Sequence, residues 1–169
     1  KGNRSIVGDA SASCIVELDE DSAAMRFVLG TDGSGAENLI VKKGGFKKDY
    51  SINENTAFPP ENLYMNGPEI FNFTIENIPG LVNDTLVENE IALEEVDYFI
   101  FHQANSFMLK YLRKKIKIPV DKFYIGMSET GNTVSATIPI ALKDALDQHL
   151  IKEGDKVLIA GFGVGYSMA

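Results

Sequence analysis

Val96-Asp97-Tyr98-Phe99-Ile100-Phe101 runs directly into His102-Gln103-Ala104-Asn105, and that junction governs how the rest of the chain is read. A short, nearly all-apolar run has the pattern of a strand covered on both faces of a sheet. Asn105 to Lys115 then sets Phe107-Met108 and Tyr111-Leu112 at helical spacing, which places His102 at a strand-to-helix junction. Further on, Gly131-Asn132-Thr133 forms a second polar cluster on a loop. A neutral imidazole and a carboxamide can each donate one hydrogen bond, so together they could hold an oxygen that gains negative charge in a transition state. Neither side chain is an obvious nucleophile.

Working outward, Phe71, Ile75, Ile78, Val82 and Leu86 recur at the spacing of one buried helical face and predict a helix of about twenty residues, kinked but not ended by Pro79. Lys122 to Ile125 reads as a short strand, and Ser135 to Leu150 as a helix with Pro139 in an early turn. Asp155 to Phe162 is the last long strand, interrupted by Gly163-Val164-Gly165. Near the start, Cys14 to Leu18 and Ala24 to Leu29 read as two strands joined by the acidic turn Asp19-Glu20-Asp21-Ser22. Gly30 to Asn66, with Gly44-Gly45 and Pro59-Pro60, is expected to be loop with at most short strands such as Leu39-Ile40-Val41. Strands alternating with helices predict a layered α/β domain.

Composition narrows the function classes. The chain has 169 residues, 44% of them hydrophobic and 24% charged, enough for one continuous core. A formal net charge of -8 opposes whole-body attraction to nucleic acid or to an anionic membrane. No apolar stretch reaches the roughly 20 residues a bilayer span requires, and the expected location is cytoplasmic. Cys14 is the only cysteine, which excludes an internal disulfide and supplies no metal-ligand spacing. Its strand-like surroundings predict an inert, packed thiol. The sequons at Asn72 and Asn83 fall in the predicted helix and are read as coincidence, and His149 as a solvated side chain.

Three motifs in order point to a family: His102-Gln103-Ala104-Asn105, then Glu129-Thr130-Gly131-Asn132-Thr133-Val134-Ser135-Ala136-Thr137-Ile138-Pro139, then Gly154-Asp155-Lys156-Val157-Leu158 running on to Gly161-Phe162-Gly163-Val164-Gly165. The chain resembles the C-terminal half of β-ketoacyl-acyl-carrier-protein synthase III, a condensing enzyme of the thiolase fold. Gly8-Asp9-Ala10-Ser11-Ala12 resembles the small-residue strand that ends the family's N-terminal half. The resemblance implies a mixed sheet covered by helices, with residues 1–30 a remnant of the N-terminal half and residues 31–169 the C-terminal domain, cut at its last strand.

It also implies roles. Of the family's Cys-His-Asn trio, the histidine falls at His102 and the asparagine at Asn132. The nucleophilic cysteine belongs upstream of the Gly8-Asp9 motif, and Cys14 does not match it, so the chain alone is expected to be inactive in condensation. A second oxyanion donor maps onto the backbone N-H of Val164, where many relatives have glycine. Asn105, with Ala104, resembles the site that holds the pantetheine arm, Phe162 the aromatic gate to the acyl pocket, and Gly67 and Phe71 a segment beside the same tunnel. Pro68 stands where some members carry an asparagine that contacts coenzyme A. Lys110, Arg113, Lys114, Lys115 and Lys117 form a basic strip that would steer an acidic carrier protein, with Phe107 where several relatives place a carrier-contacting arginine.

The implied substrates are an acyl-CoA or other acyl thioester and malonyl-acyl-carrier protein, with no metal and no cofactor. Expected partners are the carrier protein, the missing N-terminal half and a second copy, because half of a shared site would expose apolar surface. Two other readings stay open: a thiolase-fold acyltransferase of a specialised pathway, and a non-catalytic module that binds carrier protein or an acyl-pantetheine ligand. A dinucleotide loop at Gly161 to Gly165 is excluded because no helix follows to receive a phosphate.

Overall fold

A computed structural model describes residues 6–20, 24–45, 59–163 and 165–169. Its centre is a parallel pair, β4 (Tyr98–Phe101) and β5 (Val157–Ala160), in register from Tyr98 against Val157 to Phe101 against Ala160. All four residues of β4 are buried, as its continuous apolar run demands.

Helices close over this pair. α1 (Gly67–Glu88) starts at Asn66, whose side-chain oxygen accepts from the Glu69 N-H, and continues through Pro79. Ile78, Leu81 and Val82 form its buried face. α2 (Ser106–Ile116) begins at Asn105, which accepts from the Met108 N-H at 2.8 Å, and ends at Lys117 in the left-handed conformation. Met108, Leu109 and Leu112 of α2 meet Ile78, Leu81, Val82, Phe99 and Phe101 in the main core. On the other side of β4, Tyr98 and Ile100 pack against Ala141 and Ala145 of α3 (Thr137–Asp147). Pro139 lies in its first turn, where a missing N-H costs no helical bond.

The remaining strands are short. β1 (Gly30–Thr31), β7 (Ser167–Met168) and β6 (Phe162–Gly163) make an antiparallel sheet in that order. β2 (Leu39–Ile40) pairs with β3 (Tyr64–Met65). Tyr166 stitches these pieces to α1: its ring stacks on Phe73 at 4.0 Å between centroids, and its hydroxyl accepts from Asn38 Nδ2 at 2.7 Å.

Three expectations differ. Cys14 to Leu18 and Ala24 to Leu29 form no strand among the described residues, and Ile15, Leu18 and Phe27 are 88%, 90% and 69% exposed. Alternation prepares a chain for a sheet, but a strand needs a neighbour to satisfy its backbone, and none is aligned with these segments. Cys14 is consequently an exposed free thiol, not a packed one. Lys122 to Ile125 also fails to become a strand. A 3-10 turn at Val120–Lys122 occupies its start, and only Phe123 bridges to Phe99.

Candidate active site

His102 emerges from the end of β4, its backbone N-H donating to the Ala160 carbonyl at 2.8 Å and so extending the parallel ladder by one step. Its ring meets Phe162 edge to face at 5.5 Å between centroids. Burial pushes the imidazole down to about 4, because a charged ring there loses hydration that the surroundings do not replace. The ring is therefore neutral at pH 7. Its Nδ1 lies 2.7 Å from the Thr137 hydroxyl oxygen.

Asn132 is held from both sides. Its backbone N-H donates to the Ile6 carbonyl at 2.9 Å, and its carbonyl accepts from the Gly8 N-H at 2.8 Å. This clamp requires glycine at position 8: a Cβ there would sit 1.8 Å from the Thr130 carbonyl oxygen. Gly131, at φ +64°, supplies the left-handed turn before Asn132. The Asn132 side-chain oxygen accepts from the Val134 N-H at 2.8 Å. With the oxygen so engaged, the amide NH2 is the end left to act as a donor. Val134 itself adopts φ 55°, an unusual conformation for a β-branched residue, at the centre of the turn that joins Asn132 to α3.

The two predicted residues are thus connected. His102 contacts Thr137, the Thr137 hydroxyl lies 2.9 Å from the Val134 carbonyl, and the Val134 N-H reaches Asn132. Thr137 was not singled out from the sequence. Its position in the first turn of a helix that follows the asparagine loop is the signal that could have marked it.

The other predicted residues fall into place unevenly. Phe162 lies beside His102, and it also packs against Phe101 at 6.5 Å. Ala104 is half-buried, its N-H donating to the His102 carbonyl at 2.9 Å. Asn105 spends its side-chain oxygen on capping α2, which leaves its NH2 as the end able to reach a ligand. Phe71 stacks on Phe107 at 5.8 Å and meets Tyr111 edge-on at 5.7 Å, tying α1 to the start of α2. Gly67 opens α1 and has room for a side chain. Val164 lies outside the described residues.

Within the basic strip, Arg113 donates to the Ile118 carbonyl just beyond the end of α2 at 2.9 Å, and Lys115 donates at 2.7 Å to the Ile75 carbonyl in the middle of α1, which Pro79 four positions on has no N-H to bond, so both serve backbone carbonyls. Lys110 and Lys114 are exposed one turn apart, on the face that also carries Phe107 and Tyr111. Gln103, between His102 and Asn105, is buried and structural: it donates to the Phe101 carbonyl and accepts from the Gly126 N-H.

A cleft of about 910 Å³ lies elsewhere, lined by Ser11, Tyr98, Tyr124, Ser128 and Asp144 among others. Neither His102 nor Asn132 lines it. The Tyr124 hydroxyl donates to Asp144, and burial together with that carboxylate drives the phenol upward, so the two groups satisfy each other. Size alone does not make this cleft the site.

Residues 86–169 match the family 3-Oxoacyl-[acyl-carrier-protein (ACP)] synthase III C terminal. This part of the chain belongs to that family. The chain as a whole is similar to β-ketoacyl-[acyl-carrier-protein] synthase III of Fusobacterium nucleatum, 33% identical over 95% of this chain and 49% of the relative. A synthase III of Clostridium novyi is 32% identical over 98% of this chain and 50% of the relative. The chain thus spans about half the length of the curated relatives it matches. A crystal structure of a 3-oxoacyl-(acyl-carrier-protein) synthase III is 41% identical, with a TM-score of 0.83 over 91% of this chain and 48% of that one. A crystal structure of a 3-oxoacyl-(acyl-carrier protein) synthase from Burkholderia xenovorans is 45% identical, with a TM-score of 0.74 over 83% of this chain and 41% of that one. The fold is the synthase III fold, in the part that corresponds to its C-terminal half. Among the described residues, no helix is long and apolar enough to cross a membrane.

Proposed function

We propose that this chain is the C-terminal half of a condensing enzyme that joins an acyl primer to malonyl-acyl-carrier protein by decarboxylative Claisen condensation. The observation that carries the reading is the continuous hydrogen-bond run from His102 through Thr137 and Val134 to Asn132, which holds a neutral imidazole and a carboxamide in one rigid unit.

The difficult step is the loss of carbon dioxide. As the C-C bond to the malonyl carboxylate breaks, its electron pair passes to the α-carbon and on to the thioester oxygen, giving an enolate. His102 Nε2-H and Asn132 Nδ2-H donate to that oxygen. One such donor is worth roughly 3 kcal/mol, a factor of about 10² to 10³ in rate. Neutral donors serve here because a charged imidazole would hold its proton poorly in a buried site and give it up to the enolate. The pair then leaves the oxygen, the α-carbon attacks the acyl thioester on a cysteine of the N-terminal half, and collapse of the adduct expels the cysteine thiolate. The Val164 N-H, with the cysteine N-H, is assigned to the oxyanion of that second step. No cofactor takes part, because the thioester carbonyl itself receives the electron pair.

Carrier protein docks, in this account, on the α2 face that presents Lys110 and Lys114 with Phe107 and Tyr111. Asn105 and Ala104 guide the pantetheine arm past Phe162, and Gly67 and Phe71 border its path. The uncovered apolar side chains from Ile15 to Leu29 are assigned to contacts with the N-terminal half or with a second copy. Soluble thioester substrates place the reaction in the cytoplasm.

The test supplies an N-terminal half carrying the cysteine and follows carbon dioxide release from malonyl-acyl-carrier protein. His102→Ala and Asn132→Ala are each expected to slow release about 10² to 10³-fold. Release that continues unchanged in both variants sinks the enzyme reading, and binding of carrier protein with no release in any form favours a non-catalytic module.

A further inference from the structure

We infer that Gln103 is a positioning residue: its carboxamide braces the strand end that carries His102 against the loop that carries Asn132, and so sets the separation of the two donors. The inference rests on the shared donor role proposed for that pair and names what holds it.

Gln103 follows His102 directly and is only 3% exposed. Its Nε2 donates to the Phe101 carbonyl at 2.7 Å, and its Oε1 accepts from the Gly126 N-H at 3.1 Å. The partners fix which end of the amide points where, since a carbonyl can only accept and an N-H can only donate. One end therefore grips the last residue of β4, and the other grips the chain 23 positions on.

What hangs from Gly126 is a closed turn. The Gly131 N-H donates to the Met127 carbonyl at 2.9 Å, so residues 127–131 move as one piece, and Asn132 follows at once. Position 126 is tightly fitted in its own right, because a Cβ there would fall 2.0 Å from the Tyr124 hydroxyl. The run through Thr137 and Val134 ties Asn132 to His102 from the C-terminal side of the loop. One tether leaves a loop free to swing about it, whereas two tethers that start at consecutive residues, His102 and Gln103, remove that freedom. Few side chains could replace the second. Asparagine carries the same amide one methylene shorter, ionised glutamate has the reach but no donor, and methionine has neither a donor nor a strong acceptor. Loss of the amide orphans the Phe101 carbonyl in the core and frees the Gly126 N-H, and the simplest relief is for the loop to pull away toward water.

Site-resolved amide hydrogen exchange on the chain tests this without any substrate. In Gln103→Met, exchange at Gly131 and Asn132 is expected to rise about tenfold or more over wild type, while Leu81 of α1 and Leu112 of α2 keep their protection. Unchanged exchange at Gly131 and Asn132 overturns the inference, as does a rise shared equally by Leu81 and Leu112, which marks a loss of general stability. Should Gln103→Met fail to fold, Gln103→Glu decides: near pH 5 its protonated carboxyl can donate to Phe101 as the amide does, and at pH 8 it cannot. Compared with wild type at the same pH, that variant's loop should be loosened at pH 8 and restored near pH 5. A loop at wild-type protection at pH 8, or one equally loosened at both, overturns the inference. With the N-terminal half supplied, Gln103→Met should lower kcat for carbon dioxide release about 10 to 100-fold with KM little changed, because misplaced donors fail only the developing charge. A kcat at the wild-type level overturns the brace, whereas a wild type that releases no carbon dioxide refutes the condensing reading and leaves the exchange result to decide on Gln103.

Discussion

Replacing His102 by glutamine should remove a defined part of the acid sensitivity of this fold. In the folded chain the imidazole is pushed down to about 4 by burial, whereas in the unfolded chain it titrates at about 6.5. Between those values the unfolded state binds a proton that the folded state refuses, so stability falls as the pH falls. The contribution is fully present above about pH 6.5, is lost progressively on the way down, and levels off once the folded ring protonates near pH 4. Each pH unit crossed costs about 1.4 kcal/mol, so about 2 kcal/mol is lost between pH 7 and pH 5, and about 3 kcal/mol by pH 4. Against a typical total of about 5 to 15 kcal/mol, that is a large share. Urea titrations followed by circular dichroism at several pH values, on wild type and His102→Gln, isolate the effect. Loss of the Thr137 contact shifts the variant by an amount independent of pH, so the diagnostic is the slope. The wild type should lose about 2 kcal/mol more than the variant from pH 7 to pH 5. Parallel curves would refute the buried, neutral imidazole.

Gly8→Ala should loosen the loop that carries Asn132, since its Cβ would fall 1.8 Å from the Thr130 carbonyl; amide exchange of Asn132 should rise while that of β4 stays protected. Phe101→Ala, at a side chain with no exposure that packs against Phe123 at 5.0 Å, should cost about 3 to 5 kcal/mol in urea unfolding. A Lys110→Glu, Lys114→Glu double variant should weaken acidic carrier protein binding about tenfold or more in a calorimetric titration at low salt, and the difference should shrink as salt is raised.

The helices and the central strand were legible because burial imposes a period. Ile78 and Val82 of α1 and Met108 and Leu112 of α2 are buried as their spacing predicts, Leu81 and Leu109 join them, Phe107 and Tyr111 are exposed instead, and β4 is buried on both faces. The strands at Cys14 to Leu18 and Ala24 to Leu29 were not, because alternation states which side chains could share a face and not which backbone will pair with them. At Lys122 the deciding contact is equally non-local: its ammonium donates to the Val96 carbonyl at 2.7 Å and to the Glu94 carbonyl at 3.1 Å, anchoring a turn where a strand was expected. His102 and Asn132 stood out by motif and order. Thr137 did not, because its hydroxyl meets His102 Nδ1 only once the fold brings together residues 35 positions apart. The pairing of Gly8 with Asn132 is of the same kind, since only the folded chain shows that the small-residue motif near the start clamps the asparagine loop.

The central claim is that His102 and Asn132 donate to one thioester oxygen. A crystal structure of the chain assembled with its N-terminal half and a malonyl thioester analogue that cannot lose carbon dioxide tests it most directly. The account predicts that oxygen within about 2.7 to 3.1 Å of both His102 Nε2 and Asn132 Nδ2. An analogue bound with its thioester oxygen reaching neither atom, or the two side chains facing separate cavities, would contradict it.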